Sequence, residues 1–409
     1  VHDRLSGRRD QPYLIESDAM ASTQAKARVI AHARELGFDL VGIAGAEPFE
    51  AERRTFERRA ANGMLGQWRY PAERIAMVSD PNASLPGARS IICTATSYLT
   101  DDKPHDPYAP GLRGAVSRHS WGRDYHRVIG DRLRSLARWI ESEFTSAKCL
   151  ACVDTGPLID RAAAVRAGIG WFGKNANVLT REFGSWVLLG EVITTLDLPP
   201  DTPLAKNCGE CVICIDRCPT GAIGSDGSID ARRCISDLTQ LNAPIPRELR
   251  AAIGNRIWGC DDCQSVCPVN ERKERDNAVT TATFAPLKEI GTSVDLPAVL
   301  RMTKGQYRRW FKPTSMAWRG KAVLQRNAAV ALGNSRDKGA VPPLIEALQD
   351  RKPLVRGHAA WALGELGALS GDEGMAALED LCANEPVAWV RDEAGAALMR
   401  LTGGAERQL

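Results

Sequence analysis

The order of apolar and polar residues divides the chain into stretches of different character. Residues 22–37 predict a helix, and Asp39–Ala44 a strand after it. Ser90–Tyr98 predicts another strand, entered through Leu85-Pro86-Gly87. Val128, Leu133, Leu136, Ile140 and Phe144 fall near helical spacing within Tyr125–Phe144. Cys149–Val153 and Ser185–Leu196 predict further strands. Helices and strands that alternate in this way argue an α/β or α+β domain over residues 22–200.

The pattern changes after residue 200. Residues 201–275 are poor in apolar side chains and rich in cysteine, as in a module stapled by metal. Residues 276–320 form a connector. Beyond it, NAAVALG (327–333) is echoed by HAAWALG (358–364), and RGHAAWAL (356–363) by RDEAGAAL (391–398). The offsets are 31 and 35 residues. Small residues at helical spacing with repeated leucine predict paired helices, stacked as a HEAT-like array over residues 321–409. A plain helical cap with chance alanine similarity is the alternative.

A length of 409 residues fits two or three domains. The formal charge of +3 confines any polyanion-binding surface to a local patch. No apolar run reaches membrane-spanning length. Residues 1–21 read as a polar lead-in without the apolar stretch of a signal peptide. A cytoplasmic monomer with no membrane partner is the expectation.

Seven of the twelve cysteines fall into two runs, and an eighth, Cys234, lies between them. Cys208, Cys211, Cys214 and Cys218 precede Pro219 with the spacing C-x2-C-x2-C-x3-C-P. Cys260, Cys263 and Cys267 precede Pro268, with Cys234 lying 26 residues before Cys260. The short gaps let one loop place successive sulfurs around a cubane, and each C-P turn sends the last thiolate to the neighbouring cluster. Two [4Fe–4S] clusters are expected. Cys208, Cys211, Cys214 and Cys267 would hold one. Cys218, Cys260, Cys263 and, by elimination, Cys234 would hold the other. Zinc prefers separated pairs of ligands, and disulfides an oxidising compartment, so both fit less well. Cys93, Cys149, Cys152 and Cys382 lie in apolar surroundings and read as small core residues.

The span Arg301–Arg326 holds eight basic residues and no acidic one. Arg308, Arg309, Lys312, Arg319, Lys321 and Arg326 are candidate nucleic-acid contacts, because cations neutralise phosphates. The interleaved Tyr307, Trp310, Phe311 and Trp318 could stack on bases. A solvated basic face with aromatics plugged into the core is the bland reading.

Clusters supply electrons but seldom make or break bonds alone, so a second cofactor is expected in the first domain. The glycine-rich segment 153–192 is the place for it. Asp154 ends a predicted strand just before Gly156-Pro157. An apolar pocket there would raise its pKa and let it deliver a proton. A turn-capping aspartate is the alternative. Asp124-Tyr125-His126 approaches the cobalamin-ligating pattern D-x-H-x-x-G, but Gly130 comes one position late. Helix capping by Asp124 and a structural His126 fit that stretch better.

Several stretches together resemble the epoxyqueuosine reductase family. They are SDPNASLPGARSII (79–92), SRHSWGRDYH (117–126), VDTGPLIDRAAAVRAGIGWFGKN (153–175), CGECVICIDRCPTGAI (208–223), CISDLT (234–239), WGCDDCQSVCP (258–268) and RNAAVALGN (326–334). The resemblance implies an α+β fold with three parts: a nitroreductase-like, flavin-free cobalamin domain, a two-cluster ferredoxin-like module, and a repeat that grips tRNA. It implies reduction of the epoxide of epoxyqueuosine in tRNA, with electrons from an external donor. Asp154 would be the proton donor, and Arg74, Lys174, Asn175 and Ser185 would join Asp154 in contacting cobalamin. The chain departs from the family in CISDLTQLNAP, where Leu-Thr-Ile-Glu is typical. A reductive dehalogenase, an electron carrier that docks through its repeats, and an RNA-binding scaffold with structural clusters are the rival readings.

Overall fold

The structure, a computed structural model, describes residues 11–275 and 282–403. The first helix is Gln11–Glu35, so it reaches back into the stretch expected to be a lead-in. Ala25, Val29 and Ala33 recur every four residues and are buried, which fixes one face of this helix. Residues 1–10 of the lead-in, 276–281 of the connector and 404–409 of the last segment lie outside the described residues.

Four strands build the main sheet: β1 (Leu40–Gly45), β2 (Ser90–Ser97), β3 (Cys149–Cys152) and β4 (Val187–Thr194). Their order is β1-β2-β4-β3, and every neighbouring pair is antiparallel. All of β2 is buried, because both faces of the sheet are covered. On one face lies the helix Tyr125–Glu143, which buries Ile129, Leu133, Leu136 and Ile140. Each such side chain contributes about 1.5–3 kcal/mol. The stripe runs through Ile129 rather than Val128, since 129, 133, 136 and 140 keep the 3–4 spacing of one helix face. Gly190 of β4 permits the close approach. A Cβ there would stand 2.7 Å from Leu133 Cδ1 and 2.8 Å from Ile129 Cγ2. The other face carries Asp160–Arg166, whose Ala162, Ala163 and Ala164 are all buried.

A second, three-stranded sheet was not legible in the sequence. Arg113–Val116 pairs parallel with Arg256–Trp258 and antiparallel with Ser293–Asp295. It sews the first domain, the cluster module and the connector together. The module also contributes apolar side chains to a shared core. Ile235, Leu238, Ile245, Leu249, Ile253, Ile257 and Trp258 are buried in one core with the C-terminal helices.

Those helices are Lys321–Gly333, Val341–Ala347, Pro353–Leu366, Gly371–Asn384 and Ala388–Gly403. The recurring Leu-Gly has a packing cause. A Cβ on Gly333 would stand 2.8 Å from Ala362 Cα, and one on Gly364 would stand 2.7 Å from Ala397 Cα. Each glycine is the point where one helix crosses the next.

Candidate active site and cluster module

Asp154 leaves β3 in the left-handed region, with φ +42°. Aspartate adopts this conformation more readily than most residues, and it turns the carboxyl toward the start of the helix Tyr125–Glu143. Asp124 caps that helix by accepting from the His126 backbone N–H at 3.2 Å. The cap brings Tyr125 and His126 to face Asp154. The Tyr125 hydroxyl donates to Asp154 Oδ2 at 2.7 Å, and His126 Nε2 lies 3.1 Å from the same oxygen. His126 Nδ1 lies 2.8 Å from Asp124 Oδ1. A ring flanked by two carboxylates donates from both nitrogens only as the imidazolium.

The charges follow from that geometry. Burial pushes His126 down, but its hydrogen bonds to Asp124 and Asp154 outweigh this and raise it to about 9. Burial pushes Asp154 up, but the hydrogen bonds from His126 and Tyr125 win and hold it at about 2. The condition under which the Asp154 pKa would rise is therefore not met. The pocket is not apolar, and the proton it holds sits on His126. Burial and the Asp154 charge keep the Tyr125 phenol protonated. Neither Tyr125 nor His126 was expected to take part in chemistry; their signal was the run Asp124-Tyr125-His126 at a helix start.

The cluster thiols are all unpaired and partly buried. Burial raises Cys214, and the charges of Cys208, Cys267 and Cys211 raise it further, which places these four in one another's field. Burial likewise raises Cys263, followed by the charges of Cys260 and Cys234, and Cys234 in turn lies in the field of Cys218. Among the described residues no three His, Cys, Asp or Glu side chains converge on the space of a single metal ion. A cubane is larger than an ion and needs its four thiolates further apart. The Ala222 backbone N–H donates to Cys218 Sγ at 3.2 Å, a contact of the kind that tunes a cluster's potential.

Two expected cofactor contacts are already engaged with the cluster module. Ser185 is buried, donating to Gln264 Oε1 at 2.8 Å and accepting from Asn270 Nδ2 at 2.7 Å. Asn175 is buried and donates to the Cys263 carbonyl at 3.3 Å. Both contacts tie the first domain to the segment from Cys263 to Asn270. Lys174 donates to the Gly209 carbonyl at 2.8 Å, beside Cys208. Arg74 is exposed on the helix Ala72–Val78. The same domain buries Thr96, Thr100, Trp171, Trp186 and Glu191 with side-chain polar atoms that have no hydrogen-bond partner. Buried groups of that kind call for a ligand or water. A corrinoid, whose rim of amides both donates and accepts, is chemically suited to them.

The basic residues separate into two kinds. Arg308, Arg309 and Lys312 are exposed. Arg326 is fully buried and cannot meet a phosphate. Its guanidinium donates to the carbonyls of Leu238, Leu241 and Ala243 at 2.9–3.1 Å and to that of Thr239 at 3.3 Å. Lys321 donates to Gln325 Oε1 at 2.6 Å. Arg319 lies over the Trp318 ring, 3.7 Å from its centroid.

An α+β domain with an acid–imidazole pair, joined through shared strands to two thiol quartets, defines an iron–sulfur oxidoreductase. Family models sharpen this. Residues 79–155 match "Epoxyqueuosine reductase QueG, DUF1730", residues 207–270 a 4Fe-4S double cluster binding domain, and residues 319–399 HEAT repeats. The epoxyqueuosine reductase of Bacillus cereus is 41% identical over 84% of this chain and 90% of its own. That of Bacillus subtilis is 38% identical over 84% and 88%. An epoxyqueuosine reductase solved with an epoxyqueuosine-modified tRNA-Tyr stem loop superposes with a TM-score of 0.86 at 36% identity, covering 93% of this chain and 99% of that one. The Bacillus subtilis enzyme, solved with an aspartate-bearing catalytic loop swung out of its active site, gives 0.85 at 35% identity, covering 92% and 99%. The chain belongs to the epoxyqueuosine reductase family.

Proposed function

We propose that this chain reduces the epoxide of epoxyqueuosine in tRNA, giving the cyclopentene of queuosine. The carrying observation is the match, over 93% of the chain, to a reductase solved with its modified stem loop. A dehalogenase or a bare electron carrier is not favoured by relatives that share the whole three-part arrangement. Two electrons and two protons enter, and one water leaves.

The cofactors are two [4Fe–4S] clusters and cobalamin, loaded by an external electron donor. Cys208, Cys211, Cys214 and Cys267 hold one cluster, and Cys218, Cys234, Cys260 and Cys263 the other. Cobalamin, when bound, supplies strongly reducing electron delivery to carbon. Arg74 and Lys174 offer it positive charge, and Thr96, Thr100 and Glu191 offer unspent hydrogen-bonding capacity. The protein's own part in the chemistry is proton management. As the C–O bond opens, negative charge grows on oxygen, and a nearby acid must quench it. Asp154 delivers the proton that His126 holds, while Tyr125 fixes the carboxylate. Exposed Arg308, Arg309 and Lys312 attract the tRNA backbone. The enzyme works as a cytoplasmic monomer; among the described residues, no helix is long and apolar enough to cross a membrane.

The test is an anaerobic reaction of reconstituted protein with cobalamin, a strong reductant and epoxyqueuosine-containing tRNA. Nucleoside mass should show loss of one oxygen. Unchanged epoxyqueuosine, with iron and corrinoid both bound, would refute the assignment.

A further inference from the structure

Two large aromatic side chains meet on the surface, far apart in sequence. Trp68 is 39% exposed and Trp318 50% exposed. Their rings stack with centroids 5.6 Å apart and planes 20° from parallel. Both indole N–H groups are tied down. Trp68 Nε1 donates to Asp237 Oδ1 at 2.7 Å, and Trp318 Nε1 to Gln240 Oε1 at 3.2 Å. Asp237 and Gln240 follow closely on Cys234, so the edges of both rings are pinned to the cluster module while much of each surface stays open. Arg319 covers part of Trp318 and donates to Gln67 Oε1, and its Nε is buried with no partner.

A pair held only for stability would be buried. Here the ring planes are fixed in advance and displayed, an arrangement that lowers the entropy cost of stacking a flat ligand. The surroundings say which ligand. The span Arg301–Arg326 contains no acidic residue, and Lys304, Arg308, Arg309 and Lys312 in it are exposed. Positive charge beside open aromatic faces suits single-stranded nucleic acid, whose phosphates meet the cations while its bases stack.

We infer that the Trp68–Trp318 pair, backed by Arg319, is a stacking platform for an unpaired base of the bound tRNA loop. This rests on the proposed tRNA substrate. The platform adds a stacking contribution to tRNA binding beside the charge supplied by the cations.

The experiment uses holoenzyme and an epoxyqueuosine-containing stem loop. 2-Aminopurine replaces, in turn, each unpaired base of the loop other than the modified one. Quenching at one position on binding to the wild type supports the platform, and no quenching at any position overturns it. Trp318→Ala should weaken stem-loop binding about tenfold, the effect of losing one base stack. The iron content and the visible spectrum of the variant should stay unchanged. Trp318→Phe, which keeps an aromatic face, should recover most of the affinity. Wild-type affinity in Trp318→Ala would overturn the inference while leaving the function intact. A wild type that neither binds nor reduces the stem loop would instead refute the functional assignment.

Discussion

His126 Nε2 stands 3.1 Å from Asp154 Oδ2, across the gap between the start of a helix and the end of β3. The two residues share one proton, and the geometry keeps it on the imidazole at neutral pH. Asp154→Asn removes the carboxylate proposed to pass that proton to the substrate but keeps its size. The variant should retain both clusters and cobalamin, measured by iron content and visible spectrum. Its turnover should fall by about 10²–10⁴, the usual contribution of a positioned acid. Full activity under reducing conditions would remove Asp154 from the chemistry.

The same pair makes stability depend on pH in a defined window. Asp154 is depressed from 3.8 to about 2, so its contribution is present above pH 3.8 and is lost as pH falls through 2. His126 is raised from 6.5 to about 9, so its contribution is present below pH 6.5 and is lost as pH rises through 9. The pair therefore stabilises fully between about pH 4 and 6.5. Asp154 is 48% exposed and His126 32%, so solvent screening limits the gain to about 1 kcal/mol or less. His126→Gln should lower Tm most near pH 5–6 and hardly at all above pH 9. A Tm difference that grows toward alkaline pH would contradict the pairing. Activity should respond as well. Without the imidazolium, the Asp154 carboxyl loses its main depressing partner, and the alkaline limb of turnover should move to lower pH.

The sequence made some of this plain and hid the rest for physical reasons. The cysteine runs were legible because a cubane constrains chain spacing directly. The repeat was legible because Gly333 and Gly364 each mark a helix crossing, and a crossing admits nothing larger. Asp154 stood out as a carboxylate at a strand end. What periodicity could not reveal was its environment. The pKa of Asp154 depends on His126, 28 residues earlier in the chain, and only the fold brings the two together. Arg326 misled for a similar reason. Counting cations along a segment cannot separate a guanidinium that faces solvent from one that faces backbone carbonyls. The strand Arg113–Val116 was missed because its partners come from distant segments and each contributes only a few residues.

Arg326 joins the first repeat helix to the loop that follows Cys234, through four backbone carbonyls. Burial, followed by the charge of Arg250, lowers its pKa to about 9, yet the surrounding carbonyls give the cation its hydrogen bonds. Arg326→Met fills the volume but leaves those acceptors unpaired in the interior. Each orphaned group costs about 1–3 kcal/mol, and partial relaxation should leave a net loss of about 3 kcal/mol. The variant should show a clearly lower Tm and shed iron from the cluster that Cys234 is proposed to ligate. The salt dependence of tRNA binding should be unaltered in whatever protein remains folded. A change in that slope would mean that Arg326 meets a phosphate after all.

Arg308, Arg309 and Lys312 are the opposite case, because they present charge to solvent rather than to carbonyls. Each cation that neutralises a phosphate releases condensed counterion, so affinity falls with salt in proportion to the number of phosphates neutralised. Reversing all three to glutamate should weaken tRNA binding at low salt by more than tenfold. It should also reduce the slope of log affinity against log salt by about 0.7–0.9 for each phosphate left without its cation. The stacking contribution at Trp318 carries no charge, and it should survive as a smaller, salt-insensitive remainder of the affinity. Titration of the triple variant with the stem loop at several salt concentrations separates the two contributions. An unchanged slope would place the phosphate-binding face elsewhere on the molecule.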